Sequence, residues 1–440
     1  MQKNLPRIIN AWCMYDWANS VHALVIVSSV FPVYFSATAV TESGSPYIDF
    51  LGFTIKNSVL FSYSVSVAFL IVAMLVPFCT AIADFLGKRK LFMKLFCYFG
   101  ASSCGLLYFF TQDTIELSLV AFVMSLIGWS GSIVFYNSFL PLIATENNFD
   151  RYSARGFSLG YVGSVLLMVF NLTMIMFPAV YGITDPGLPA RISFMTVGIW
   201  WVLFAQIPFH YLPDDAPVKK VDGHTSRWIF NGFLKLKKVF GELKGQKNLG
   251  RFLTAFFVCN MGVQTVMYVA TIFGSNELKL PAQSLIITVI LIQLVGIGGS
   301  YLFSYFSSLW GNIYALMTGI AIWVGICICA YFVTSQNQFY CLAAAVGMVM
   351  GGMQSLNRAT YSKLIPDDTP DTASYFSYYD VTEKMSLVIG TFLFGFVEQM
   401  TGSMRNSVLV LTVIFFVGFL LLSRIPSQKT YSFSLLKGVN

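Results

Sequence analysis

VLVLTVIFFVGFLLL, from Val408 to Leu422, is polar only at Thr412 and carries no charge. A transmembrane β-strand alternates apolar and polar residues over about ten positions, so this run reads as helix. SLVAFVMSLI, from Ser118 to Ile127, reads the same way. A helix crosses the hydrocarbon core with about 20 mainly apolar residues. Counting such runs between polar breaks gives twelve, near 19–41, 57–82, 91–111, 115–141, 155–181, 191–212, 251–274, 282–304, 312–333, 338–362, 374–400 and 404–424.

Composition agrees with that count. Of 440 residues, 56% are hydrophobic and 11% charged, with mean hydropathy +0.69. A soluble domain is about 25% charged, so a water-soluble enzyme is excluded. Disorder is excluded too, because 16% of residues are Phe, Trp or Tyr, and disordered chains are poor in aromatics. No removable signal peptide is visible, since no small-residue cleavage site follows the first apolar run.

The net charge of +7 gains meaning from its distribution. Sorting by loop places 22 of the 27 Lys and Arg on one side, nine of them between Lys219 and Arg251. Asp16 is counted with the acids of that side. Lys and Arg are retained on the cytoplasmic side, so both termini are expected there and no nucleic-acid partner is needed. The stretch from Pro213 to Gly250 separates two sets of six spans, giving a half at 1–212, a linker at 213–250 and a half at 251–440 with a short tail. Parallel repeats of this kind face each other across a midplane site in many secondary transporters. In the linker, Ile229, Phe233, Leu236, Phe240 and Leu243 recur at helical spacing among lysines. They predict an amphipathic helix, lying on the inner leaflet or docked on the bundle.

Charges inside spans are functional candidates because each costs about 2.5–3.5 kcal/mol at mid-bilayer on insertion scales. The eleventh span holds three. In YFSYYDVTEKMSLVIG, Asp380, Glu383 and Lys384 lie about 9–15 Å along the helix from its start. Asp380 and Lys384 are an acid-first i, i+4 pair that leaves Glu383 as the surplus acid, able to load and release a proton. Arg358 on the tenth span is an alternative partner for it, and a static ion-pair network is the alternative role. Uncharged polar residues in spans, namely Asn19, Asn137, Asn171, Asn260, Gln264, Gln293, Gln354 and Asn357, are cavity candidates, with interhelical hydrogen bonding as the competing use. Gly156, Gly160, Gly163, Gly296, Gly298, Gly299, Gly347, Gly351 and Gly352 predict close helix packing. Trp200, Trp201 and Trp228 read as interfacial anchors. The eight cysteines and His22, His210 and His224 have no ligand spacing, so no metal or cofactor is expected.

AIADFLGKRK joins the second and third spans. It resembles the D-x-x-G-R-R/K signature of the major facilitator superfamily, which implies that Asp84, Gly87, Lys88 and Arg89 latch neighbouring helix ends. The equivalent turn of the second half, YFSSLWGNIYAL, keeps Gly311 but has no charge. Longer words, among them YDWANSVHALVIVSSVFPVYF at Tyr15–Phe35, RGFSLGYVGSVLL at Arg155–Leu167 and GGMQSLNRATYSKLIP at Gly351–Pro366, resemble the autophagy-related vacuolar amino-acid effluxer family and its bacterial relatives. The resemblance runs from about residue 10 to 424. It implies an all-α carrier of the major facilitator fold, twelve transmembrane helices in two six-helix halves, working by alternating access. Carried over by position, it marks Tyr15, Asp16, Asn19, Ser20, Asn137, Pro141, Gln264, Gln354, Arg358 and Lys384. Two positions depart from the family pattern: Met261 stands where an acid is expected after Asn260, and Glu383 where a small residue is expected before Lys384.

The function expected is secondary active transport of a small polar solute such as an amino acid, with protons as coupling ion. Substrate is expected to meet Asn19, Asn137, Asn260, Gln264, Gln354, Asn357 and Arg358, and coupling to use Asp380, Glu383 and Lys384. The chain is expected in the bacterial inner membrane as a monomer. The alternative is a transporter-like sensor without turnover, motivated by the uncharged turn in Phe303–Leu316. No nucleophile, base and orienting acid share a motif and no P-loop is present, so neither an enzyme nor an ATP-driven pump is expected.

Overall fold

The computed structural model describes residues 2–41, 44–50, 52–214, 239, 241–242, 245–366 and 369–426, without the side chains of 271, 276, 282 and 283. The predicted amphipathic helix of the linker and Trp228 lie outside the described residues.

Twelve long helices carry the fold: α1 (Pro6–Thr38), α2 (Asn57–Leu86), α3 (Arg89–Leu106), α4 (Ile115–Ser138), α5 (Phe149–Met176), α6 (Leu188–Tyr211), α7 (Lys247–Asn276), α8 (Ala282–Trp310), α9 (Asn312–Phe332), α10 (Gln336–Leu364), α11 (Thr372–Thr401) and α12 (Met404–Leu422). All twelve predicted spans are present. Among the described residues, eleven helices meet the length and hydropathy of a membrane span. The other is α11, whose three central charges lower its hydropathy. Apolar side chains such as Leu70, Met74, Leu203 and Val413 point outward, while Ser125, Ser130 and Ser132 are fully buried. This is the distribution a lipid solvent imposes on a helical protein, because backbone polar groups are satisfied within each helix.

Helix α1 begins well before the predicted start at residue 19. Its first turns carry Arg7, Asn10 and Asp16, which interrupt the apolar run, yet Trp12, Tyr15 and Asp16 are buried. A π-helical stretch, His22–Ser29, divides α1, and Ser29 leaves helical geometry at φ −130° and ψ −82°. Ser28 Oγ donates to the carbonyls of Ala23 and Leu24 there. Pro32 then falls in the first turn of the resumed helix, Val30–Thr38, where its missing N–H is not needed. An antiparallel hairpin, β1 (Tyr47–Phe50) and β2 (Phe53–Lys56), joins α1 to α2 and is absent from the sequence reading.

The chain forms two compact units. Unit one comprises Met1–Glu146, Leu159–Gly245 and Ile365–Val388; unit two comprises Asn147–Ser158, Gln246–Leu364 and Ile389–Asn440. The first turns of α5 thus belong to unit two, and the first half of α11 to unit one. Within unit one, α3 and α4 meet so closely that a Cβ on Gly128 would lie 2.4 Å from Gly100 Cα. Phe31 and Phe122 stack at 4.3 Å. Within unit two, α8 and α10 meet at backbone distance: a Cβ on Gly299 would lie 2.0 Å from the Met348 carbonyl oxygen, and one on Gly351 2.3 Å from that of Gly296. The predicted glycine packing therefore holds at these positions. Gly298 faces open space and plays no such part.

Candidate functional site

The charged group of α11 sits in unit one against α2 and α4. Lys384 Nζ lies 3.5 Å from Asp380 Oδ1 and 3.9 Å from Glu383 Oε1. The expected Asp380–Lys384 pair is present, and the same amine also lies within ion-pair distance of Glu383, the acid read as surplus. The side chains of Asp380 and Lys384 are 5% and 6% exposed, whereas that of Glu383 is 27% exposed. Two rings complete the surroundings of Nζ, with centroids 5.3 Å (Phe69) and 5.2 Å (Trp129) away. Ser130 Oγ donates to both Asp380 oxygens at 3.4 Å. Trp129 also stacks on His22, at 5.4 Å and 17°. His22 Nε2 meets Ser125 Oγ at 3.1 Å, while His22 Nδ1 and Trp129 Nε1 are buried without a partner. His22, set aside in the sequence reading, thus adjoins the charged group. Trp201 is fully buried beside it, so it is not an interfacial anchor; Trp200, half-buried, donates from Nε1 to the Trp17 carbonyl.

Unit one also holds the polar residues of α1 and α4. Asp16, counted above with the cytoplasmic acids, is 6% exposed and accepts a 2.7 Å bond from Tyr136 OH. Trp12 stacks on the same tyrosine at 4.7 Å and donates to its carbonyl. Asn19 is buried with Nδ2 unpartnered, and Asn137 is 8% exposed. Unit two holds the others. Asn260 and Gln264 are one turn apart on α7, and Gln354, Asn357 and Arg358 share a face of α10 by their i, i+3, i+4 spacing. Arg358 is anchored to α5: Nε donates to Ser153 Oγ at 2.8 Å, Nη2 to the Ser153 carbonyl at 2.9 Å, and Cζ stands 4.2 Å over the Phe157 ring.

Two turns tie helix ends. Between α2 and α3, Gly87 takes a left-handed conformation (φ 64°) and its N–H bonds the Ala83 carbonyl. Asp84 Oδ2 accepts from Ser374 N–H and Ser374 Oγ, both at 2.7 Å. The carboxylate therefore caps the first turn of α11, where N–H groups lack helical partners and the dipole favours an anion. Arg89 lies 3.7 Å from Asp84 and donates to Thr372 Oγ1; Lys88 is exposed. At the second turn, between α8 and α9, the acid and base come from elsewhere. Asp150 of α5 accepts from Ser307 Oγ (2.9 Å), Asn312 Nδ2 (2.7 Å) and Lys363 Nζ (2.7 Å). Lys363 also donates to Asn312 Oδ1 at 2.8 Å.

Comparison with known proteins follows from this architecture. The model of the family described as vacuole effluxer Atg22 like matches residues 4–432. This chain belongs to that family. Among the family's similar relatives, an uncharacterized MFS-type transporter, YxiO, of Bacillus subtilis (strain 168) is 29% identical over 431 residues, spanning 98% of this chain and 97% of the relative. Autophagy-related protein 22-1 of Penicillium rubens is 22% identical over 476 residues, spanning 88% and 78%. The fold matches the human organic anion transporter MFSD10 with TM-score 0.73 at 13% identity, covering 96% and 100% of the two chains. It matches the transporter FucP in the outward conformation with TM-score 0.66 at 13% identity, covering 97% and 99%. The chain is thus an Atg22-like, multi-pass membrane protein of the major facilitator fold, of transporter and not enzyme type.

The latch around Asp150 was missed in the sequence of this Atg22-like chain because its members lie far apart, at 150, 307, 312 and 363. The one available signal was negative: the turn at Gly311 lacks the charges that the turn at Gly87 has.

Proposed function

We propose that the chain is a secondary active transporter of a small polar solute, with amino acids as the first class to test, coupled to protons through Asp380, Glu383 and Lys384. The observation that carries this reading is one buried carboxyl group, one buried amine and a second, half-buried carboxyl group in a helix that would otherwise be an ordinary apolar span, with the buried imidazole of His22 on α1 close by. Intramembrane ionisable clusters of this kind mark ion and substrate pathways. The name of the matching family, vacuole effluxer, supports export of a solute. Asn19, Asn137, Asn260, Gln264, Gln354, Asn357 and Arg358 are proposed to line the solute path, and the turns at Asp84 and Asp150 to act as latches. We place the chain in the cytoplasmic membrane as a monomer, with both termini on the cytoplasmic side by the bias of Lys and Arg.

The sensor reading loses its motive, since Asp150 and Lys363 supply at the second turn the charges that Phe303–Leu316 lacks. The test is amino-acid flux in proteoliposomes under an imposed pH gradient. Glu383→Gln should abolish the dependence of flux on the gradient while solute exchange without a gradient persists. Gradient-driven uptake equal to that of the unaltered protein defeats the coupling, and binding with no flux in any condition defeats transport.

A further inference from the structure

Two lysines, Lys384 buried and Lys363 largely so, are held in different ways. Lys363 meets Asp150 at 2.7 Å and Asn312 at 2.8 Å, the lengths of full charge-assisted hydrogen bonds. Lys384 meets nothing that closely: its carboxylates stand at 3.5 and 3.9 Å. Asp380, 3% exposed, is itself loosely held, with Ser130 at 3.4 Å and Lys384 at 3.5 Å. A buried carboxylate normally has shorter partners, and one without them calls for a functional explanation. Around the amine stand the elements of an ammonium receptor, two aromatic rings within cation–π range and two carboxyl groups within 4 Å. Glu383 is partly exposed and Trp129 half-buried, which gives the cage an open side.

We infer that Phe69, Trp129, Asp380 and Glu383 form a binding site for the ammonium group of a solute, and that Lys384 is its exchangeable internal occupant. The inference deepens the transport reading and rests on it for the role of the site, but binding is measured without flux. A solute carrying a primary or quaternary ammonium enters from the Glu383 side and displaces the Lys384 amine, whose four-carbon stem lets it swing away. In a zwitterionic solute the carboxylate then meets the freed amine. As a tethered competitor, Lys384 acts at an effective concentration of about millimolar or above, so the unaltered protein binds weakly and removal of the amine strengthens binding.

The test uses the purified full chain in detergent and the melting temperature as readout, because a ligand of the folded state raises apparent stability. Methylammonium and tetramethylammonium chloride are titrated against sodium chloride at equal ionic strength. The unaltered protein should show a saturable rise in melting temperature specific to the ammonium salts. Lys384→Met should respond at concentrations lower by about tenfold or more, as expected when a competing conformer is removed. Trp129→Leu, which keeps all three charged groups, should abolish the response even if Lys384→Met does not fold. Rescue confined to Lys384→Met, with the unaltered protein unresponsive, would show a fixed structural lysine and overturn the inference. An equal response in Trp129→Leu, or none in any protein, also overturns it. Ammonium binding without flux in proteoliposomes would leave the site standing and defeat only the transport reading.

Discussion

Asp150 accepts three side-chain hydrogen bonds, and its removal has a calculable cost. Asp150→Ala deletes three accepted hydrogen bonds, from Ser307, Asn312 and Lys363. The ion pair is largely buried, its side chains 12% and 15% exposed. Breaking one partner of a buried pair costs about 3–5 kcal/mol. Here each bereaved donor keeps one other acceptor: Lys363 retains Asn312 Oδ1, Asn312 retains Thr360 Oγ1 and Ser307 retains the Ser304 carbonyl. The lower end, about 3 kcal/mol, is therefore expected. Asp150→Asn keeps one acceptor oxygen and loses the charge, for about 1–2 kcal/mol. The assay is reversible denaturant unfolding in mixed micelles, run as a double-mutant cycle with Lys363→Met. A coupling of about 1.5–3 kcal/mol is expected for groups in direct contact. If Asp150→Ala costs no more than Asp113→Ala at an exposed position, about 0.5 kcal/mol or less, the second turn is not latched by this acid and the reasoning fails.

Two further outcomes follow from geometry. Gly299→Ala forces a Cβ against the Met348 carbonyl and should cost at least about 1–3 kcal/mol by overpacking, while its neighbour Gly298→Ala meets open space and should be neutral or slightly stabilising; equal melting temperatures for the two would contradict the backbone contact of α8 and α10. Asp84→Ala removes the cap on the first turn of α11 and should cost about 1–2 kcal/mol, with faster hydrogen exchange at the Ser374 amide; unchanged exchange there would mean that the turn between α2 and α3 does not hold α11.

Legibility from sequence tracked the physics of each feature. The twelve spans were readable because hydrocarbon solvates only apolar side chains, which forces long unbroken runs. That signal failed where a span segment is solvated by protein. The first turns of α1 are buried among partners such as Tyr136, so Asp16 needs no water and the apolar run could not mark the helix start. The π-helical break at His22–Ser29 follows from local backbone energetics around Ser28 and Pro32, which no hydropathy count contains. The hairpin between α1 and α2 was invisible because eight short strand residues are few beside the apolar runs around them.

For the candidate site, residue type was legible and partnership was not. Spacing alone paired Lys384 with Asp380, since i, i+4 neighbours face each other on a helix. What spacing could not supply is the third dimension. Phe69 and Trp129, from two other helices, stand within cation–π range of the amine, which both carboxyl groups attract and neither bonds closely. The same distinction separates Lys363 from Lys384. Sequence gives both as lysines near acids, and only distance shows one as a clamped strut and the other as a loosely held cation. A protein that must change conformation needs contacts of both kinds: struts that keep helix ends registered, and a weakly satisfied charged group whose partner can be exchanged. Loose coordination of Lys384 beside tight coordination of Lys363 is therefore the physical reason to look for the moving part at α11 and for the fixed parts at the two turns.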